Sequence, residues 1–227
     1  MTNQRFPGAY HDLRNRLIDV VVNAADDELE RTTPAAPEWR VRDVVAHLTG
    51  VTSDILSGNL EGVGTDSWTE AHVAARRDRS ISDIVDEWRR NGERVDSMID
   101  DFPPDPVQQL ITDSATHEHD IRGALGSRDE RESDAVAIAF NWMLGFVGAA
   151  RAAHDAGALA VDTGEGSRVV GEGDATATLR ADRFELFRSM TGRRSLDQIR
   201  AYDWSGDARP ELLAVGIFRP RATALRE

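Results

Sequence analysis

Three side chains in two segments of this sequence have the types and spacing of metal ligands. Asp113 and His117 stand four residues apart, so on a helix they project from one face, one turn apart. Two ligands separated by one helical turn can bind a single cation. His47 follows Val44 and Val45 and borders the apolar stripe of an earlier helix, which makes it the best third donor. Two imidazoles and one carboxylate suit a divalent ion such as zinc, and three protein ligands leave one coordination position open for chemistry.

Neighbouring residues leave alternatives to this site open. A carboxylate four residues before a histidine often forms only a helix salt bridge, and a lone His47 is more often a core histidine than a ligand. Glu118 flanks the same apolar face and is a rival ligand, whereas His119 points to the opposite face and is expected to be solvated. Asp120 either orients the second ring nitrogen of His117 or is a surface carboxylate.

Composition excludes several other kinds of function. The 227 residues carry 27 Lys+Arg against 40 Asp+Glu, and this net charge of -13 argues against nucleic acid or an anionic membrane as the partner. There is no cysteine, so the chain has no disulfide, no thiolate metal site and no cysteine nucleophile of its own. The N-terminal residues lack a signal-peptide pattern, and the longest uncharged run, 135–150, fits a buried helix better than a membrane span. A cytoplasmic protein is expected.

The candidate ligands must be positioned by helices, and the first two thirds of the chain predicts them. The predicted spans are 7–25, 41–56, a short helix at 68–76, a helix that Ser80 caps, a helix from Asp105 to Leu125 that Gly126 ends, and 133–156. The proline-containing segment 32–37 and the glycine-rich segment 58–66 are predicted loops. His47 therefore lies on the second long helix, and Asp113 and His117 lie on the fourth.

The remaining third of the sequence has a different composition, which predicts a separate α+β unit. Short β-prone runs at 158–163, 167–171 and 175–180 are divided by glycine-rich turns. Asp182 is the expected cap of a helix to Met190, Ser195 starts another short helix, and 210–217 is a candidate for the last one. We therefore predict a helical metal-binding domain at 1–157 and a small α+β domain at 158–227.

Two motifs around the candidate ligands resemble those of the mycothiol-dependent maleylpyruvate isomerase family, a branch of the DinB-like metalloprotein superfamily. The first is the segment Pro37–Leu48, with Trp39, the Val41-Arg42-Asp43-Val44 stretch and His47. The second runs from Asp113 through His117 and Asp120 to Ala124, Leu125 and Gly126. The C-terminal segment from Leu179 to Arg193 also resembles the strand, helix and Gly-Arg segment of that family's second domain.

The resemblance implies a mainly α fold, an up-down four-helix bundle followed by a small α+β domain. It implies a divalent-metal triad of His47, Asp113 and His117, although the family usually has Glu where Asp113 stands. It further implies a thiol cosubstrate, mycothiol in the best-known activity, the cis–trans isomerisation of maleylpyruvate. A C-terminal arginine assists that reaction, and Arg193 or Arg194 is the candidate for it here.

These implications leave three functions open. The first is a metal-dependent thiol transferase or isomerase that acts on a small electrophile, and the second is a metal-dependent hydrolase. The third is a non-catalytic binding or stress-response module that keeps the same fold. Trp142 and the apolar helix around it belong either to the core or to a homodimer interface.

Overall fold

The computed structural model describes residues 5–227, which form two compact units. One unit comprises the residues up to Asp129 together with Glu227, and the other spans Glu130–Arg226. The predicted domain boundary follows residue 157. In the structure the long helix at 134–153 groups with the second unit, because it contacts the strands and a helix of that unit.

Helices dominate the first unit. They are α1 (Arg5–Asn23), α2 (Asp26–Leu29), α3 (Val41–Ser57), α4 (Asp66–Ala74), α5 (Ile81–Asp96) and α6 (Pro104–Leu125). Helix α3 packs against α4, α5 and α6, and α1 packs against α5 and α6. The predicted loop at 32–37 is instead part of a small antiparallel pair, β1 (Thr32–Thr33) and β2 (Ala36–Arg40), which leads directly into α3.

Local sequence signals set the ends of the helices that carry the site. Ser80 caps α5 as predicted, because its Oγ accepts a hydrogen bond of 3.1 Å from the Asp83 N–H. Gly126 ends α6 as predicted, in the left-handed conformation (φ 75°) that glycine adopts without steric cost. The start of α6 differs from the prediction. It begins at Pro104, before the expected cap Asp105, since proline is tolerated in the first helical turn.

The core of the first unit fixes which side of α3 faces inward. Its fully buried apolar side chains come from four helices and include Leu17, Val41, Val44, Val45, Leu48, Ile84, Trp88 and Ile121. Because Val44, Val45 and Leu48 are all buried against these neighbours, the turn that carries His47 is held rigidly against α5 and α6.

A mixed four-stranded sheet and three helices form the second unit. Its elements are α7 (Asp134–Ala153), β3 (Ala158–Asp162), β4 (Ser167–Val170), β5 (Ala175–Arg180), α8 (Arg183–Met190), α9 (Leu196–Arg200) and β6 (Asp203–Gly206). The strand order is β4-β3-β5-β6, with β3 and β5 parallel and the two outer pairs antiparallel. Asp182 and Ser195 cap α8 and α9 as predicted. The predicted helix at 210–217 is wrong, because only a 3₁₀ turn forms at Pro210–Leu212.

Helix α7 is the one helix within residues 5–227 whose length and apolar composition would suffice to cross a bilayer. More than half of its most apolar window, 56%, is buried inside the protein, as in a core helix. Near its C-terminal end the buried Arg151 donates hydrogen bonds to the backbone carbonyls of Ala156, Gly157, Asp207 and Ala208. Helix α7 therefore agrees with the prediction that the uncharged run 135–150 forms a buried helix.

Candidate metal centre

The candidate ligands meet where α3 and α6 pack together. Helix α3 supplies His47, and α6 supplies Asp113 and His117 from successive turns. One potential ligand atom from each of the three lies within 4.8 Å of the other two. The structure thus brings together the three side chains that the spacing and the resemblance selected, although more than sixty residues separate His47 from Asp113 in the chain.

Both imidazoles present the same nitrogen to the carboxylate. His47 Nε2 lies 3.6 Å from Asp113 Oδ2, and His117 Nε2 lies 3.7 Å from Asp113 Oδ1. Zinc–ligand bonds of about 2.0–2.2 Å place neighbouring donors of a tetrahedral ion roughly 3.3–3.6 Å apart. The donor set therefore suits a divalent ion, and the two distances lie at or 0.1 Å above the upper end of that range. The short Asp113 side chain still directs one oxygen toward each histidine.

Burial favours the neutral form of His47, which is the form that binds metals. His47 is 1% exposed and His117 is 8% exposed, whereas Asp113 is more accessible. Burial lowers the pKa of His47, because it disfavours the charged imidazolium, and this outweighs the opposing effect of the nearby Asp113 carboxylate. A neutral imidazole has the free lone pair that a metal ion requires.

The second ring nitrogen of each histidine is also held. His117 Nδ1 lies 3.0 Å from Oδ2 of the fully buried Asp120, so of the two alternatives for Asp120 the contact with His117 is the one observed. His47 Nδ1 lies 3.2 Å from Nδ1 of His72, a residue of α4 for which the sequence suggested no role. Such partners fix the orientation of a metal-binding imidazole and raise its basicity.

Two indole rings line the cluster. Trp39, at the end of β2, lies with its ring centroid 5.2 Å from that of His47 and 5.7 Å from that of His117. Trp68, on α4, meets the His47 ring edge-on at 5.8 Å. These ring contacts contribute to the nearly complete burial of His47.

The motif before His47 has a local structural explanation. The Asp43 carboxylate accepts hydrogen bonds from both the backbone N–H and the guanidinium of Arg40, so it satisfies free donors at the start of α3. Burial alone would raise the pKa of Asp43, but these hydrogen bonds lower it below the ordinary value. Asp43 thus fixes the helix start, Trp39 lines the site, and His47 follows one turn further along α3.

Two residues of α6 differ from their sequence-based interpretation. Glu118, the rival ligand, is fully buried in a different contact, since its oxygens accept hydrogen bonds from Arg16 at 2.8 and 2.7 Å and from Arg122 at 3.1 Å. His119, expected to be solvated, is only 3% exposed. Nearly every side chain in this stretch of α6 is buried, so a one-sided apolar face does not describe it.

The two candidate arginines lie in the second unit and have different surroundings. Arg194 is buried and donates to both carboxylate oxygens of Glu185, at 2.6 and 2.9 Å. Arg193 is half-buried; its Nη1 donates to the Thr191 carbonyl at 2.7 Å, and its guanidinium lies 5.9 Å from the centre of the Phe218 ring.

A mainly helical protein with two histidines and a carboxylate converging between helices matches the DinB-like class of folds. Residues 10–128 match the model of the mycothiol maleylpyruvate isomerase N-terminal domain, and the chain belongs to that family. No curated protein matches the sequence.

Among solved structures, the chain is similar to mycothiol-dependent maleylpyruvate isomerase. One such structure, a histidine-to-alanine mutant of that enzyme, has a TM-score of 0.60 at 10% identity and covers 90% of this chain and 93% of its own. Another has a TM-score of 0.58 at 9% identity and covers 85% and 90%. At such low identity these similarities establish the fold.

Proposed function

We propose that the protein is a divalent-metal-dependent enzyme that uses a low-molecular-weight thiol, such as mycothiol, to isomerise a small electrophile or to add the intact thiol to it. The convergence of His47, Asp113 and His117 supports this proposal most strongly. Zinc is the ion we favour, because two neutral imidazoles and one carboxylate suit it. We also infer that α1, α3, α5 and α6 form the up-down bundle implied by the resemblance, and that the enzyme is cytoplasmic.

The chain's own residues would supply orientation and shielding. When bound, a divalent ion would lower the pKa of a thiol and raise its thiolate fraction at neutral pH. Asp120 holds the His117 ring, and Trp39 and Trp68 contribute to the burial of His47. The partly exposed Asp113 marks the side from which a small molecule can reach the donors. The sequence contains no cysteine, which is consistent with a nucleophilic sulfur brought by the cosubstrate.

Arg193 is our candidate for an arginine that assists the reaction. Arg194 is the weaker candidate, because both oxygens of Glu185 already hold its guanidinium and it therefore has a structural role. Arginine suits the binding of a carboxylate substrate, since its planar guanidinium can donate two parallel hydrogen bonds.

Metal content and thiol dependence test the proposed function. We expect the purified protein to contain or take up one divalent ion, and to convert maleylpyruvate or a related electrophile only when both the ion and mycothiol are present. Net loss of thiol indicates transfer, and turnover without thiol loss indicates isomerisation. Hydrolysis without any thiol, or a metal-loaded protein inert toward all electrophiles, would contradict the thiol-dependent enzyme.

Replacing Asp120 with Asn is expected to weaken metal binding. The variant keeps the shape of the side chain but removes the charge that holds the His117 ring in place, a change that typically costs about 10–100-fold in metal affinity. Competition with a chromophoric chelator measures the dissociation constant. Asp78→Asn, at an exposed position of the same unit, is the matched control. Equal affinities for Asp120→Asn and the wild type would exclude this role for Asp120.

A further inference from the structure

His72 is a buried histidine outside the donor group, and it forms a chain of contacts that leads from His47 to a carboxylate. Its Nδ1 lies 3.2 Å from Nδ1 of His47, and its Nε2 lies 3.0 Å from Oδ2 of Asp54. His72 is 5% exposed, and the Asp54 side chain is 16% exposed. These contacts therefore connect the buried His47 to the more exposed Asp54, near the C-terminal end of α3.

When both imidazoles are neutral and Asp54 is ionised, the three groups permit one consistent arrangement of protons. An ionised Asp54 only accepts, so a neutral His72 carries its proton on Nε2 and has a lone pair on Nδ1. That lone pair accepts a proton from His47 Nδ1. His47 then has its own lone pair on Nε2, the nitrogen that lies 3.6 Å from Asp113. In the other tautomer of His47, a proton would occupy the position where a cation must bind.

We propose that His72, itself oriented by Asp54, is a positioning residue that holds His47 in the tautomer whose Nε2 is free to bind a divalent cation. The inference rests on the proposed metal-dependent function. It also gives the two ligand histidines different supports, since Asp120 contacts His117 directly, whereas Asp54 acts on His47 through an intervening imidazole.

The packing of α4 on α3 holds the His72 ring in this position. A Cβ atom added to Gly50 would lie 2.3 Å from Cγ of His72, so only glycine at this position of α3 allows the ring to approach so closely. The Trp68 ring also packs against His72 edge-on, with the centroids 4.3 Å apart. Ring placement thus depends on a small residue in α3 and a large one in α4.

Nitrogen-15 NMR of the metal-free protein, at alkaline pH where both rings are neutral, tests the tautomer directly. We expect His47 to carry its proton on Nδ1 in the wild type. We expect the Nε2–H tautomer to appear in His72→Phe, which retains a planar ring but cannot accept a hydrogen bond. A His47 ring that keeps the Nδ1–H tautomer in His72→Phe would overturn the proposal.

Metal affinity provides the second measurement. The dissociation constant of His72→Phe for zinc should rise by about 10–100-fold, as for other partners of metal-binding histidines. His154→Phe, at an exposed histidine of the second unit, should bind as the wild type does. Unchanged zinc affinity in His72→Phe would also overturn the proposal.

Asp54→Asn and Gly50→Ala keep the test decisive if His72→Phe does not fold. The first removes the charge that orients His72, and the second displaces the ring without removing it. Both should increase the population of the His47 Nε2–H tautomer, and wild-type tautomers in both would contradict the inference. A wild type that binds no divalent ion would instead contradict the proposed function, because the tautomer is measured without metal.

Discussion

Replacing His47 with alanine is expected to remove high-affinity metal binding while leaving the fold intact. The substitution leaves Asp113 and His117 as a two-ligand site, which lacks the three protein ligands of a typical catalytic zinc centre. The loss of affinity should exceed the roughly 10–100-fold that the loss of an orienting partner costs. Equilibrium dialysis followed by elemental analysis measures the bound ion in the variant and the wild type.

His11→Ala is a matched control for this experiment. His11 lies in the same unit, but its side chain is 51% exposed and contacts Asp96 rather than the donor cluster. The control should bind metal as the wild type does. If His47→Ala retained full occupancy and affinity, the ion would have to be bound elsewhere, and the site between α3 and α6 would be rejected.

Replacing Glu118 with alanine is expected to have the opposite effect to His47→Ala. It should greatly reduce stability but leave metal binding intact. The carboxylate is fully buried and accepts hydrogen bonds from Arg16 and Arg122, so its removal takes an ion-pair partner from the buried Arg122 and from the partly exposed Arg16. Breaking a buried ion pair in this way typically costs about 3–5 kcal/mol in the free energy of unfolding. Urea denaturation measures the change.

An exposed ion pair provides the comparison for Glu118. Glu70 pairs with Arg77 on the surface, where both side chains are more than half exposed, and Glu70→Ala should cost only about 0–1 kcal/mol. The folded fraction of Glu118→Ala should still take up one divalent ion. A variant of normal stability that loses the ion would identify Glu118 as a ligand after all.

Much of the site could be predicted because its residues follow helical spacing. Asp113 and His117 lie one turn apart on α6, and His47 lies beside the buried Val44 and Val45, so the sequence alone brings them forward as candidates. The spacing did not choose among the acidic residues near His117. The family resemblance favoured Asp113, and the structure shows why Glu118 differs, since Arg16 from α1 holds it.

Features that depend on close packing between helices could not be predicted. His72 lies in a short polar helix without a clear apolar face, and its contact with His47 depends on the close approach at Gly50. The burial of His119 likewise reflects coverage of α6 on several sides. The burial and contacts of His72 and His119 have no signal in the local sequence, because segments distant in the sequence form their environment.

In the second unit too, the elements set by local residue preferences were predicted, and those set by tertiary contacts were not. The caps Asp182 and Ser195 and the strand β5 follow from local residue preferences and were predicted. Strand β6 was missed, because Asp203–Gly206 is short and contains one large apolar residue, and it forms only by pairing with β5. The position of α7 depends on its contacts with β3, β4 and α8 rather than on its own sequence.

X-ray absorption at the zinc edge of the metal-loaded protein tests the central claim most directly, because it reports the ligands themselves. We predict one zinc ion per chain, with two imidazole nitrogens at about 2.0–2.1 Å and carboxylate oxygen in its coordination shell. The imidazole signal should fall to one ring in His47→Ala if residual zinc binds. A spectrum with oxygen ligands alone, or one that His47→Ala and His117→Ala leave unchanged, would contradict a metal centre built from His47, Asp113 and His117.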